Sequence, residues 1–188
     1  MQHFRVALRI RPDETTNSRT TQLSSTGTSC ISLLGDDRNT IQIKKMGVRP
    51  GASSASSSDT HQYSFDKIFD ENATQEEVFD NVKDLVNESL KGFNVTIFAF
   101  GITGSGKTHT INGEHGGGND GVVPRTVHHI FTDLRQHAAK STVSFSAMVF
   151  LTFVELYNNV LYDLLAPTVD LNGDEHTSAG LKMHEHPV

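Results

Sequence analysis

The sequence predicts an α/β fold in which helices flank a mixed central sheet. Three observations carry that reading. The run "VTIFAF" (Val95–Phe100) is apolar almost throughout, as in a strand buried on both faces, and it leads straight into a glycine-rich turn. The stretch "NATQEEVFDNVKDLVNESLKGFN" sets Val78, Phe79, Val82, Leu85, Val86 and Leu90 at helical spacing. Several shorter runs alternate apolar and polar residues with the period of a strand.

In chain order, "FRVALRI" (Phe4–Ile10) alternates and is stopped by Pro12, so it reads as a strand. The Ser/Thr-rich stretch that follows reads as a polar loop. "CISLL" and "TIQIKK" around "GDDRN" read as a hairpin. Arg49–Gln62 is poor in apolar residues and rich in Ser and Gly, which predicts a surface insertion at about 49–62. "YSFDKIF" (Tyr63–Phe69) reads as a further strand. Thr74 then caps the helix, with Glu77 three residues on completing a capping box and Gly92 standing where a C-terminal cap belongs. After the glycine turn, "EHGGGNDG" reads as a mobile loop. "PRTVHHIFTDLRQHAA" reads as a second helix with Pro124 in its first turn and Val127, Ile130, Phe131 and Leu134 on one face. "STVSFSAMVFLTFVELY" alternates as a long strand, "NNVLYDLL" reads as a turn and a short helix, and "LKMHEH" as the start of another strand. Phe65, Phe69, Phe79, Phe98, Phe100, Phe145, Phe150 and Phe153 are the expected aromatic core.

Composition narrows the function classes. With 188 residues the chain fits one domain or part of a larger one, and 36% hydrophobic residues against 20% charged allow a packed core. A net charge of −6 argues against a nucleic-acid partner, which wants a basic face. The single cysteine, Cys30, permits no intramolecular disulfide and fits a reducing compartment. No run approaches the roughly 20 apolar residues of a membrane span, and "MQHFRVALRIRP" has no apolar signal core; the chain reads as soluble and intracellular, without membrane insertion. His128 and His129 diverge on a helix, and His184 and His186 have no evident third ligand, so none of them reads as a metal site.

The chemistry concentrates at Gly101-Ile102-Thr103-Gly104-Ser105-Gly106-Lys107-Thr108, which fits G-x-x-x-x-G-K-[ST], the Walker A phosphate loop. Gly101, Gly104 and Gly106 permit backbone angles that side chains forbid, so successive N–H groups can curl around a phosphate. A helix opening near Lys107 adds its positive end. Lys107 brings a full charge to the β/γ phosphates of a bound nucleotide, and the Thr108 hydroxyl is the expected Mg²⁺ ligand. A buried-type strand before the loop supplies the context that the motif requires. A water-orienting group and a Mg²⁺-side carboxylate are still needed for hydrolysis. The one competitor is Glu155, ending "MVFLTFVE", but the alternation there reads as packing. Asp66 and Lys67 read as surface or local ion-pair residues.

Several separated stretches together resemble the kinesin motor domain: "RIRP", "YSFDKIFDENATQEEVF", "GFNVTIFAFGITGSGKTHT", "GVVPR" and "FVELYNNVLYDLL", in the same order and at similar spacing. The resemblance implies a P-loop NTPase-type mixed central sheet flanked by helices, incomplete at its C-terminal side, with residues 1–188 as the N-terminal part of a motor domain. It implies ATP and Mg²⁺ at the loop, with Arg9, Arg11 and Pro12 against the adenine and His109 on the base's other face. It also implies movement along microtubules and a cytoplasmic, cytoskeletal location. Members usually have Gln where this chain has Ile102, and Tyr where it has Phe100; neither is a phosphate ligand.

The chain stops before the family's two switch motifs, its main microtubule-contacting helix and its neck linker, so the catalytic residues, most of the tubulin-binding face and the determinants of oligomeric state are expected beyond Val188. The strands flanking Val95–Phe100 in that fold come from the same portion. Two unpaired edges, poor stability and weak hydrolysis are therefore expected of residues 1–188 alone. Two rivals stand beside this reading: a truncated or degenerate relative that holds nucleotide without motility, and another P-loop enzyme such as a nucleoside kinase. The latter usually opens with its phosphate loop near the N-terminus, whereas about a hundred residues precede it here.

Overall fold

The computed structural model describes residues 4–12, 31–34, 39–44, 60–114, 118–166 and 181. The expected polar loop after Pro12, Cys30, most of the Ser-rich insertion and both His184 and His186 lie outside the described residues. The chain divides into two compact units, Met1–Arg135 and Gln136–Val188.

In chain order the first unit holds β1 (Ala7–Arg9), β2 (Ile31–Leu34), β3 (Thr40–Lys44), β4 (Thr60–Ser64), β5 (Lys67–Phe69), α1 (Gln75–Leu90), α2 (Lys107–Ile111) and the greater part of α3 (Val122–Lys140). The strands β2, β3 and β4 form an antiparallel sheet, while β1 runs parallel to β5 with Ala7 opposite Lys67 and Arg9 opposite Phe69. Tyr63–Phe69 is therefore two strands in two sheets, where its alternation predicts one. Asp66 makes the break. Its amide donates to Val6 O at 3.0 Å and its carboxylate accepts from Val6 N at 2.7 Å, while Phe65 N turns the other way to Asn39 O at 2.9 Å. Asp66, exposed as expected, also ligates backbone between the strands while its charge acts on Arg5, and the exposed Lys67 places its ammonium 5.9 Å from the centre of the Phe69 ring.

The helix α1 begins where its cap dictates. The Thr74 side chain accepts from Glu77 N, and the Glu77 carboxylate accepts from Thr74 N at 2.7 Å, closing the capping box. At the far end Gly92 takes φ +97° just past the C-cap Lys91. The buried face carries Val78, Phe79 and Val86. Phe69 of β5, Val78 and Val122 make the core, with Ala73, Val82 and Ile97 packed against it. Phe79 also meets His129 of α3 edge-on at 6.1 Å, and His129 Nε2 lies 2.7 Å from Asn87 Oδ1, so that histidine joins two helices. Outside the core, Arg5 grips Asp84 through both guanidinium nitrogens at 2.7 and 3.3 Å. The bond from Arg5 holds the Asp84 carboxyl below the usual carboxylate range.

Val95–Phe100 corrects the sequence reading. No strand pairing reaches it among the described residues. Burial nevertheless alternates: Val95, Ile97 and Ala99 are half-buried, whereas Phe98 is 69% and Phe100 95% exposed. One face packs on the core and the other does not, where an all-apolar sequence predicts burial of both. The described first part of α3 shows the same partial cover, with Ile130 and Leu134 half-buried and Val127 and Phe131 exposed.

The second unit contains β6 (Val154–Tyr157) and β7 (Val160–Asp163), an antiparallel hairpin closed by Asn158 and Asn159 at φ 49° and 61°. This replaces the short helix expected from "NNVLYDLL". Asn tolerates the left-handed region, and two such residues in succession make the tight turn whose twist suits paired strands. The pairing covers only the end of the predicted long strand, where Phe153 O still accepts from Leu164 N at 2.8 Å. Phe145 and Phe150 have no strand partner among the described residues, and all three rings are exposed, against their expected place in the core. Leu181 N donates to Leu161 O at 2.8 Å, the one described contact of the expected final strand.

Candidate functional site

The phosphate-loop residues follow Val95–Phe100 directly and end in α2. Gly104 and Gly106 adopt φ +80° and +96°, a region open to glycine and strained for other residues. Gly106 is also the N-cap of α2, with no side-chain cap. Ser105 N donates to Ile102 O at 3.2 Å, closing a turn inside the loop. The amides of Gly104, Gly106, Lys107 and Thr108, by contrast, donate to nothing among the described residues. Four unpaired donors in successive turns are what an anion cradle consists of.

Lys107 is half-buried, and its ammonium donates to Gly101 O at 2.9 Å and Ile102 O at 2.8 Å. These bonds bridge the start of the loop and leave one of its three N–H groups for another acceptor. The charge is therefore held in place beside the loop. Arg11 Nη1 donates to Gly104 O from the other side, binding the segment after β1 to the loop.

These residues line one cleft of about 620 Å³: Arg11, Pro12, Thr103, Gly104, Gly106, Lys107, Thr108, His109 and Glu114. The cleft brings together eight of the twelve residues singled out from the sequence. Gly101, Ile102 and Ser105 belong to the loop but not to the wall, and Arg9 is elsewhere. The Arg9 guanidinium is part-buried, donating to Gln75 Oε1 at 2.9 Å, Thr110 Oγ1 at 3.0 Å and Ala73 O at 3.3 Å. It is not part of the wall of that cleft. Glu114 is an addition that the sequence reading missed. It follows α2 by three residues, and its amide bonds to Asn119 O at 3.1 Å. With Gly121 N on Asn112 O at 3.0 Å and Arg125 donating to Asp120 O at 2.8 Å and Gly118 O at 2.9 Å, the described ends of the supposed mobile loop are tied down.

A second cleft, about 710 Å³, lies at the start of α1 beside β5. Although larger, it sets Asp70, Glu77 and Asp80 against Lys67 alone. That charge balance repels a polyphosphate, which leaves the glycine-loop cleft as the candidate site.

The chain matches the kinesin motor domain family over residues 9–188. It belongs to the kinesin motor family. Among curated kinesins, it is 38% identical over 183 residues to the kinesin-like protein KAR3 of Saccharomyces cerevisiae, covering 97% of this chain and 22% of that protein. To kinesin-related protein 13 of Dictyostelium discoideum it is 41% identical over 128 residues, covering 67% of this chain and 9% of that one. Among solved structures, the motor domain of the Kar3-like kinesin from Ashbya gossypii matches with a TM-score of 0.60 at 25% identity, over 96% of this chain and 54% of that one. The C-terminal motor domain of Kar3 from Candida glabrata matches with a TM-score of 0.56 at 31% identity, over 87% of this chain and 47% of that one. The kinesin segment therefore spans about half of these motor structures and less than a quarter of the curated relatives. The P-loop NTPase class expected from the sequence agrees with these kinesin neighbours. Among the described residues no helix is long and apolar enough to cross a membrane.

Proposed function

We propose that this chain binds ATP with Mg²⁺ in the glycine-loop cleft, as the N-terminal part of a motor domain whose ATP turnover drives movement along microtubules. The observation that carries the reading is the conjunction of four unpaired loop amides with the fixed Lys107 ammonium on one cleft. Residues 101–108 hold the polyphosphate. Arg11, Pro12 and His109 line the same cleft and are the residues this reading offers to the base.

The Thr108 hydroxyl is exposed on the cleft wall and engages no protein group among the described residues, which fits a Mg²⁺ ligand. Magnesium usually takes few protein ligands and keeps phosphate oxygens and waters, so a lone hydroxyl is a sufficient hold from this part of the chain. When bound, the ion neutralises charge across the β and γ phosphates. Lys107 does the protein's share: its remaining N–H meets the γ-phosphate oxygens as charge builds on them during in-line attack by water. Loop amides left without an acceptor inside the fold are available to the phosphate oxygens. The solved motor domains extend beyond the segment matched here, and this reading assigns the water-orienting residue, the tubulin-binding face and the determinants of oligomeric state to regions of the parent protein outside it. Its place is with the microtubule cytoskeleton of the cytoplasm.

The test is equilibrium binding of a fluorescent ATP analogue with Mg²⁺ to the full-length protein. Lys107→Ala is expected to weaken binding roughly 10- to 100-fold, the worth of a charged hydrogen bond to phosphate. Unchanged affinity would remove the loop from the site. Phosphate release that microtubules fail to accelerate would remove the motor.

A further inference from the structure

The helix α2 carries Lys107 and Thr108, yet it has five residues, no buried side chain and no capping side chain. A helix that short has no stability of its own, so something outside it must fix where those two residues stand. The described contacts identify the holder. Gln75, the first residue of α1, is only 4% exposed, and its Nε2 donates to His109 O at 2.7 Å and to Asn119 O at 3.4 Å. Its Oε1 accepts from Arg9 Nη1 at 2.9 Å, and Arg9 Nη1 also donates to Thr110 Oγ1 at 3.0 Å.

Chemistry orients the amide unambiguously. Arginine can only donate, so the Gln75 oxygen must face Arg9 and the nitrogen must face the helix carbonyl. The capping box fixes the first turn of α1 and thereby the direction in which Gln75 leaves it. Arg9 is anchored a second time by Ala73 O at 3.3 Å. Every partner it has here is neutral, and burial lowers its pKa below the ordinary arginine value. A guanidinium desolvated among neutral acceptors is poorly explained as a surface charge, and well explained as a bracket.

We propose that Gln75 and Arg9 are positioning residues: together they hold the back of α2 so that Lys107 and Thr108 face the nucleotide. The inference rests on the ATP-binding reading and deepens it. It also moves Arg9 from the adenine face, where the family resemblance puts it, to the rear of the phosphate loop.

Gln75→Glu separates positioning from folding. A carboxylate keeps the acceptor for Arg9, and as an anion it gives that cation a partner, so the α1–β1 contact survives. It has no hydrogen to give to His109 O and sets one acceptor against another. In the full-length protein, binding of the fluorescent ATP analogue with Mg²⁺ should weaken roughly tenfold in Gln75→Glu, with the melting temperature held within about 2 °C. Thr110→Val should weaken binding less, and Thr110→Ser, which keeps the hydroxyl, should restore it. Wild-type affinity in Gln75→Glu overturns the proposal. So does a lower melting temperature with full affinity in the folded fraction, because the residue would then serve the fold alone. Failure of the ATP reading is distinguishable: wild-type protein would itself fail to bind, and this inference would fall with it.

Discussion

Gly106→Ala puts the loop geometry to a quantitative test. At φ +96° and ψ +18° the residue lies in the left-handed region, which costs an ordinary L-residue about 1–2 kcal/mol. A methyl group added there meets no atom within 4 Å. The whole penalty is therefore backbone strain, with no steric contribution to confuse it. That strain has two outlets. If the loop keeps its shape, the folded state bears the strain, and the variant unfolds at lower denaturant, less about 0.4–1 kcal/mol returned by the stiffer unfolded chain. If the loop relaxes to negative φ, the curled form becomes a minor state, and nucleotide binding must restore it. At tenfold for every 1.4 kcal/mol, affinity then falls roughly 5- to 30-fold. Urea unfolding and ATP-analogue titration on the same preparation measure both outlets. A loss in either, or divided between them, agrees with the geometry. Unchanged stability together with unchanged affinity would mean that residue 106 is not left-handed in solution, and the cradle as described would be wrong.

Other consequences concern the frame around the site. Thr74→Ala removes the side-chain oxygen that accepts from Glu77 N and should destabilise by about 1 kcal/mol, measured by thermal unfolding, whereas Thr74→Ser should be close to neutral. Asp84→Asn addresses the pair with Arg5, whose side chains are 38% and 58% exposed, so the loss at neutral pH should stay under about 1 kcal/mol. The sign with pH follows from the depressed carboxyl. The pair contributes above the ordinary aspartate value near about 3.9 and is lost as pH falls through the lower folded-state value. Wild type and variant should differ at pH 7 and converge in acid; a gap that widens in acid would refute the assignment.

Much of the frame was legible because it is local. The capping box at Thr74 and Glu77, the glycine after α1 and the G-x-x-x-x-G-K-T spacing are written in neighbouring residues; the cap closed as expected, and Gly92, Gly104 and Gly106 took positive φ. The turn at Asn158 and Asn159 is equally local and agrees with the sequence reading of "NNVLYDLL"; the continuation is a paired strand where that reading has a short helix. Gln75 had no comparable signal. A glutamine in a helix's first turn is usually solvated, and only the approach of α2 and β1 turns it into a buried junction.

By itself, then, the sequence determined the glycine pattern of the loop, the start and inner face of α1 and the family, because those depend on residue types at fixed short separations. Tertiary structure alone decided that Arg9 bonds to Gln75, Ala73 and Thr110 without lining the glycine-loop cleft, that Asp66 divides one apparent strand between two sheets, and that Phe98 and Phe100 are exposed. Hydrophobicity states what a segment can bury. Only the neighbours that reach it in space determine what it does bury, and which buried polar atoms must find each other there.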